Sequence, residues 1–309
     1  MQDEYDFTGA DVELIDILKQ HYRPLEPRPT DASARVERLS GIRAVLFDLY
    51  GTLFISGSGE VGTTRQAASL AAIEGAAQAM GVPFEPPLAD ATELMQQAIR
   101  REHAERREQG VSYPEIQVAD IWRSVFAELL VRGDLAPQAS GVLNRLDWRR
   151  LAVEYEARAN PCWPMPEIEA CLGRLREAGL LLGIVSNAQF YTPLLFPALL
   201  GRTLEECGFE RHLCLFSFEH GVAKPGTRLY ELAAGRLAER DIEPAEVLYV
   251  GNDMLNDIFP AAALGFRTAL FAGDARSLRW REDDSRLAAV SADLILTDLA
   301  QLPECPIIA

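Results

Sequence analysis

The segment at residues 44–53, AVLFDLYGTL, constrains the fold of this 309-residue chain more than any other part of it. Four apolar residues predict a buried strand, Asp48 follows directly, and Gly51 with Thr52 makes a tight turn. In open α/β sheets, the carboxyl ends of the strands border the crevice in which ligands bind. The segment therefore predicts an α/β fold that places an acidic group at a binding crevice.

Strand-like and helical patterns alternate regularly from about residue 167 onward. Apolar strand candidates lie at 180–186, 213–217, 247–251, 266–271 and 294–296. Helical patterns occupy 167–178, 225–240 and 256–264. Alternation of buried strands with helices is typical of a parallel, doubly wound sheet with helices on both faces. The chain is therefore predicted to have a Rossmann-like α/β core.

Residues 57–164 carry a different pattern. Helical periodicity covers 64–80, 88–109, 118–132 and 141–158, with almost no strand signal. Because this block follows the first strand and ends before the second, it should lie over the carboxyl ends of the strands, as a lid does. Hinges are expected near 56–59 and 160–166. We predict an N-terminal helical extension and linker (1–40), an α/β core (41–56 and 165–309) and an inserted helical cap (57–164).

The composition limits the class of partner. A formal net charge of −16 argues against nucleic acid, because a phosphate backbone requires a basic protein face. No apolar run approaches the roughly 20 residues of a membrane span. The acidic N-terminus is unlike a basic signal peptide, and five scattered cysteines are typical of reduced thiols. We therefore expect a cytoplasmic protein, a monomer or homodimer, that acts on a small molecule.

Four polar elements follow predicted strand ends or precede predicted helices. They are Asp48 with Thr52, Ser186 with Asn187, Lys224 with Pro225, and Asp253 with Asp257. Only two of the 30 cationic residues are lysine, so position 224 favours a compact ammonium over a planar guanidinium. Pro225 is expected to open a helix whose N–H groups face the crevice. Each element is weak evidence alone, but together and in this order they predict one site.

The charges of these residues suggest a metal ion. Asp48, Asp253 and Asp257 would bring about −3 into a small volume, and Lys224 would return only +1. Crowded carboxylates raise one another's pKa unless a cation intervenes. A divalent ion would balance the charge, and oxygen ligands without a nearby histidine or cysteine favour Mg²⁺.

A carboxylate surrounded by a metal, a hydroxyl and an ammonium is suited to in-line attack on phosphorus. Asp48 would be the nucleophile and would form an aspartyl-phosphate that water then hydrolyses. Mg²⁺, Lys224, Thr52 and Ser186 would hold the equatorial oxygens as charge develops. Asn187 is a further candidate for substrate binding.

These residues resemble the four ordered motifs of the haloacid dehalogenase superfamily. The motifs fall on residues 48–52, Ser186, 224–225 and 251–257, and the resemblance spans about 41–56 and 165–300. The helical block resembles the cap that this family inserts after its first motif.

The resemblance implies a role for each motif residue. Asp48 would be both nucleophile and metal ligand, Tyr50 would offer its main-chain carbonyl to the metal, and Asp253 would coordinate it. Binding of the transferred group would fall to Thr52 and Ser186. Lys224 would steady the nucleophile and the substrate, and Asp257 would orient the site from behind.

The first motif departs from the family's phosphatases. They usually carry a second aspartate as general acid and base where this chain has Tyr50, and a phenol of pKa ~10 is a poor acid at neutral pH. The segment FDLYGTLF, with Tyr230 six residues after Lys224, resembles the metal-independent 2-haloacid dehalogenase branch. There Asp48 would displace halide, which leaves without a proton. That branch needs a cap arginine for the substrate carboxylate, and the nominees are Arg65, Arg100 and Arg101.

The fourth motif favours the phosphatase. The dehalogenases carry small neutral residues where this chain has Asp253, and an acid there is costly without a cation. Asn252 stands in the place of a frequent aspartate, which leaves the alignment of this motif open. We favour a Mg²⁺-dependent phosphohydrolase, and the alternatives are a metal-independent 2-haloacid dehalogenase and a weak or inactive binding member of the family.

Overall fold

The structure, a computed structural model, describes residues 8–58 and 66–307. The strands are β1 (Leu39–Ser40), β2 (Ala44–Phe47), β3 (Phe54–Ser56), β4 (Cys162–Pro164), β5 (Leu181–Ser186), β6 (Phe209–Phe216), β7 (Val247–Gly251), β8 (Arg267–Phe271), β9 (Leu294–Leu296) and β10 (Pro306–Ile307). The central sheet in these residues has six parallel strands in the order β6–β5–β2–β7–β8–β9. The chain reverses its winding direction at β2, so Asp48 follows the strand at the topological switch point, where α/β sheets bind ligands.

Helices lie on both faces of this sheet. They are α1 (Gly9–His21), α2 (Gln66–Ala79), α3 (Ala91–Glu108), α4 (Val118–Arg132), α5 (Ala139–Leu143), α6 (Trp148–Ala159), α7 (Ile168–Glu177), α8 (Leu195–Leu199), α9 (Ser217–His220), α10 (Arg228–Ala238) and α11 (Phe259–Ala263). In the chain, α2 to α6 follow β3 and precede β4. The predicted α/β fold with a parallel, doubly wound sheet is confirmed.

Three predicted helices differ from the observed ones. The helix predicted over 141–158 is two helices, because the Asp147 side chain accepts main-chain N–H groups of the next turn and starts α6 afresh. The helix expected to open at Pro225 begins at Arg228, after a turn that Gly226 N–H closes onto the carbonyl of residue 223. Instead of a single helix over 256–264, a π-helical turn leads into α11, and the Asp253 side chain caps that turn.

The helices between β3 and β4 enclose their own apolar cluster. Trp122, Phe126 and Tyr155 are buried together there, apart from the clusters that cover the sheet. At the expected hinges, β3 and β4 pair as antiparallel strands. Helix α1 packs against both α6 and α8, and Asp11 forms an ion pair with Arg149 of α6 at 3.1 Å. The boundaries of extension, core and cap stay predictions.

Two further features bear on the sequence-based expectations. All five cysteines are free and buried. Among the helices that the structure describes, none has the length and the apolar character needed to cross a bilayer.

Candidate active site

Asp48 lies immediately after β2 at the carboxyl edge of the sheet. Its N–H donates to the Val250 carbonyl at 2.9 Å, which extends the pairing of β2 with β7. The carboxylate is buried, and its Oδ1 accepts the Ser186 hydroxyl at 2.8 Å and the Lys224 ammonium at 2.7 Å. The residues of the first three predicted elements therefore meet at one carboxylate.

Lys224 joins two acidic residues. Its Nζ donates to Asp48 Oδ1 at 2.7 Å and to Asp257 Oδ1 at 2.6 Å, and its side chain is only 3% exposed. Burial alone would lower the pKa of this ammonium, but the carboxylates of Asp257 and Asp48 outweigh burial and raise it. Lys224 is therefore a charged, immobile bridge between these acids.

Asp257 lies behind this bridge. Its second oxygen accepts the N–H of Asp253 at 2.9 Å, and its Oδ1 also accepts the Tyr249 hydroxyl at 3.1 Å. Burial raises the pKa of the Asp257 carboxyl to about 7, against the opposing charge of Lys224. The position is consistent with the orienting role that the sequence suggested, because Asp257 holds Lys224 and the fourth motif in one arrangement.

Asn187 fixes the main chain of Lys224. The Asn187 side chain donates to the Lys224 carbonyl at 3.2 Å and accepts the Lys224 N–H at 2.7 Å. These paired bonds link the loop after β5 to the segment before α10. In this structure Asn187 thus supports the lysine, and it also lines the cavity in front of Asp48.

The turn after Asp48 packs closely against two loops. Thr52 is fully buried, and its hydroxyl lies 3.4 Å from Asn252 Oδ1. Gly51 has φ +81°, and a Cβ there would lie 2.3 Å from Ser277 Cβ and 2.6 Å from Asn252 Nδ2. Glycine is therefore required at this position by both the backbone conformation and the lack of space.

The hydroxyls of the two tyrosines that resemble the dehalogenase branch have hydrogen-bond partners other than Asp48. The Tyr50 hydroxyl lies 3.0 Å from Thr192 Oγ1 in a buried cluster, where burial raises its pKa well above the ordinary value. The Tyr230 hydroxyl donates to the Asn256 carbonyl at 2.8 Å, and its ring packs against Tyr249. Burial raises the pKa of both phenols well above the ordinary value, so each is a poor acid at neutral pH.

Asp253 begins the π-helical turn and has a cation of its own. Its Oδ1 accepts the N–H groups of Leu255 at 2.8 Å and Asn256 at 3.2 Å, and its Oδ2 accepts Asn256 Nδ2 at 3.1 Å. The guanidinium of Arg281 contacts the same carboxylate, with NH2 2.7 Å from Oδ2 and Nε 3.3 Å from both oxygens. The charge of Asp253 is therefore balanced from within the chain.

The donors around Asp48 are of the kind that Mg²⁺ prefers. Asp48, Tyr50, Asn252 and Asp253 line the same cavity, and they offer two carboxylates, a main-chain carbonyl and a side-chain amide oxygen as candidate ligands. Within the described residues, no group of three acidic, histidine or cysteine side chains could hold an ion unaided, so the carbonyl would have to contribute. The set fits a hard divalent cation, on the condition that Arg281 releases Asp253.

A cavity of about 370 Å³ opens in front of Asp48 between the sheet and the helices above it. From the segment between β3 and β4, its lining includes His103, Arg107, Tyr113 and Glu115. Glu115 joins the two sides, since its carboxylate accepts the Ser217 hydroxyl at 2.6 Å and Gln189 Nε2 at 3.0 Å.

Of the three nominated arginines, the two that the structure describes, Arg100 and Arg101, do not line this cavity. Arg100 is exposed, and the exposed Arg101 donates to Ser124 at 2.8 Å, whereas Arg65 lies outside the described residues. The cationic side chains at the cavity are instead Lys224, Arg107 and Arg279.

Sequence reasoning missed several residues of the site. Tyr249 sits in an apolar strand, where an aromatic residue is usually core, and nothing local indicates its hydroxyl bond to Asp257. Arg281 belongs to the polar stretch RWREDD, one of many charged stretches in this chain. The periodicity of α3 and its run of arginines could have shown only that some arginine faces the core.

The chain is similar to one curated protein and to several solved structures. It is 27% identical over 173 residues to the glyceraldehyde 3-phosphate phosphatase of Pyrococcus furiosus. The match covers 50% of this chain and 65% of that protein, so the chain spans slightly less than two thirds of this relative.

Two solved structures are similar in fold. The 2-haloacid dehalogenase of Pseudomonas syringae pv. Tomato is 19% identical, with a TM-score of 0.55 over 85% of this chain and 97% of that one. An L-2-haloacid dehalogenase is 22% identical, with a TM-score of 0.50 over 85% and 98%. The family model of the haloacid dehalogenase-like hydrolases matches residues 42–265, which is more than half of the chain. The chain belongs to the haloacid dehalogenase-like hydrolases.

Proposed function

We propose that this chain hydrolyses a phosphomonoester or acyl phosphate of a small metabolite, with Asp48 as nucleophile and Mg²⁺ as cofactor. The arrangement of Asp48 carries the proposal, because Ser186 and Lys224 both donate to one of its oxygens at the cavity wall. An oriented carboxylate is what nucleophilic catalysis by an aspartate requires. Similarity to the Pyrococcus phosphatase supports a phosphate ester as substrate.

The proposed reaction has two displacements at phosphorus. A carboxylate oxygen of Asp48 bonds to phosphorus as the ester oxygen leaves, and water then attacks the aspartyl-phosphate and releases inorganic phosphate. Lys224 and Ser186 hold Asp48 in place and, with Thr52, offer donors to the transferred group. Because the Tyr50 phenol cannot supply a proton, substrates whose leaving groups are weak bases, such as acyl or aryl phosphates, are favoured.

The charge balance supports a divalent cation for this chemistry. When all three are ionised, Asp48, Asp253 and Asp257 carry −3, Lys224 and Arg281 return +2, and a phosphate dianion adds about −2. Mg²⁺ would be held by Asp48, the Tyr50 carbonyl and Asp253, and when bound it supplies positive charge to the oxygens of the transferred group.

One observation favours dehalogenation as a second candidate. The side chain at position 50 is a buried tyrosine directed at Thr192, so no acid stands two residues after Asp48. Attack of Asp48 on carbon would expel halide, and halide leaves without a proton. A 2-haloacid carries a single negative charge, which Arg107 or Arg279 at the cavity could receive.

The test is an assay of p-nitrophenyl phosphate with excess Mg²⁺ and after chelation, alongside 2-chloropropionate. We expect phosphate release that stops on chelation and in Asp48→Asn but continues in Asp120→Asn, which changes an exposed aspartate of α4. Turnover by Asp48→Asn, or turnover untouched by complete metal removal, would overturn the proposal. Chloride release without phosphate release would replace it with dehalogenation.

The proposal extends to the cellular setting and the domain division. Five free, buried cysteines support a reducing compartment such as the cytoplasm. A separate apolar cluster in α2–α6, above the carboxyl edge of the sheet, supports the assignment of 57–164 as a cap.

A further inference from the structure

Arg281 occupies the carboxylate that the proposed metal site requires. We propose that Arg281 is an intramolecular counter-ion of Asp253 that a divalent cation must displace, so that this arginine sets the affinity of the site for Mg²⁺. The inference rests on the proposed function, because Asp253 is taken as a metal ligand there. It concerns a residue outside the four motifs.

The ion pair is well formed. Three nitrogen–oxygen contacts of 2.7 to 3.3 Å join the guanidinium to Asp253, whose side chain is 8% exposed. Arg281 also has φ 55°, a left-handed conformation that residues with a side chain seldom adopt. Such a conformation persists where the surrounding contacts over-determine it.

The loop that carries Arg281 is tied to the fourth motif by its main chain. Arg279 N–H donates to the Asn252 carbonyl at 2.9 Å, and Met254 N–H donates to the Arg279 carbonyl at 2.9 Å. These bonds hold the loop beside Asp253 whether or not the guanidinium is engaged.

Residues 26–28 of the predicted N-terminal linker, here called the N-terminal arm, contact the other end of this loop. The buried carboxylate of Asp274 accepts the N–H of Arg28 at 3.0 Å and forms an ion pair with Arg276 at 2.8 Å. The Arg276 guanidinium also donates to the Glu26 carbonyl at 2.7 Å. The arm, which lies outside the motifs, therefore holds the loop at both its main chain and its side chains.

The Arg281 side chain has to leave Asp253 for a metal to bind this carboxylate. That side chain is 32% exposed, so solvent is available to it once it leaves Asp253. A partly exposed ion pair is worth a modest free energy, and a competing cation must overcome it. We expect this competition to weaken Mg²⁺ binding by about threefold to tenfold.

The experiment measures Mg²⁺ binding to the full chain by titration calorimetry, with MgCl₂ as the probe and no substrate. We expect Arg281→Met to bind Mg²⁺ about threefold to tenfold more tightly than wild type, with Arg281→Lys in between. The control Arg286→Met removes an exposed arginine that pairs with Asp284, and its affinity should be unchanged. Adding Asp253→Asn to Arg281→Met should abolish the gain.

A thermal-shift series supplies a second readout. Without metal, Arg281→Met should melt below wild type, because Asp253 has lost its counter-ion, and Mg²⁺ should raise its melting temperature more than that of wild type. Equal or weaker binding by Arg281→Met, or no binding by either protein at millimolar Mg²⁺, would overturn the inference.

The two proposals fail in different ways. If Arg281→Met binds Mg²⁺ more tightly but the protein has no phosphatase activity, the counter-ion proposal stands and the proposed phosphatase function is refuted. If the protein is a Mg²⁺-dependent phosphatase but Arg281→Met binds Mg²⁺ as wild type does, the function stands and the counter-ion proposal is refuted.

Discussion

Replacement of Lys224 by methionine tests the electrostatic design of the site. Methionine keeps most of the length of the side chain but removes the ammonium that lies 2.7 Å from Asp48 and 2.6 Å from Asp257. Both carboxylates are at least nine-tenths buried, so solvent cannot replace the lost charge. Two like charges then face each other across an apolar side chain.

The expected cost follows from the burial of this triad. Removing one partner of a buried ion pair leaves an uncompensated charge and costs about 3 to 5 kcal/mol in the free energy of unfolding. We expect Lys224→Met to lose about this amount at a pH of about 8, where wild-type Asp257 is mainly ionised.

The loss should depend on pH with a defined sign. Burial raises the pKa of folded Asp257 to about 7, from 3.8, so the folded state holds this proton more tightly than the unfolded state. The contribution of such a group to stability therefore falls as pH rises from about 4 to its folded pKa and is constant above it. Without Lys224 the folded pKa is higher still, so the fall continues above about pH 7. The two proteins should differ least near pH 5 and most above pH 8.

The assay is urea unfolding followed by tryptophan fluorescence at about pH 5.5 and about pH 8. The double variant Lys224→Met/Asp257→Asn should recover part of the loss at the higher pH, because one of the two facing charges is gone. The matched control Arg286→Met, on an exposed pair, should change stability by less than about 1 kcal/mol. A loss below about 1 kcal/mol for Lys224→Met, or an equal loss at both pH values, would refute the reasoning.

Three further variants test other parts of the account. Gly51→Ala should lower the free energy of unfolding by about 2 kcal/mol or more and abolish turnover, because its Cβ would lie 2.3 Å from Ser277 Cβ. The control Gly173→Ala, in α7 with open space around the new Cβ, should leave stability unchanged or raise it. Equal melting temperatures for the two variants would contradict this prediction. Asn160→Ala removes the acceptor of the Ser56 and Ser58 hydroxyls and of the Ser58 N–H at the predicted hinge. Proteolytic cleavage near this hinge should accelerate while the affinity for Mg²⁺ stays unchanged. An unaltered cleavage rate would contradict a role of these bonds in holding the hinge. Glu115→Gln replaces a carboxylate that accepts the Ser217 hydroxyl and two N–H donors with an amide. Because Glu115 joins the two sides of the cavity, KM should rise more than kcat falls. A change confined to kcat would contradict this role.

The sequence was most informative where chemistry is local. An apolar run followed by Asp48, and one of the chain's two lysines at 224, indicated which residues meet, because parallel strands bring their carboxyl ends to one edge. The observed hydrogen bonds join Asp48 to Ser186, 138 residues later in the chain, and to Lys224, 176 residues later. Strand alternation was sufficient to bring them together.

The sequence was least informative where partners come from irregular loops. The charge count required a cation near Asp253, but Arg281 lies in a loop whose position depends on Asp274 and on the N-terminal arm. Arg107 rather than Arg100 or Arg101 lines the cavity, and a helical run of arginines does not show which of them faces the sheet. Such contacts depend on tertiary packing and have no periodic signature.

The central claim is that Asp48 attacks phosphorus, and acid-quenched mass spectrometry tests it most directly. The protein is mixed with excess p-nitrophenyl phosphate and Mg²⁺, quenched within a turnover, and digested with trypsin, which releases the peptide of residues 44–65. The account predicts one phosphoryl group on Asp48 in wild type and none in Asp48→Asn. Continued phosphate release with an unmodified Asp48 peptide, or a phosphoryl group on another residue, would contradict it.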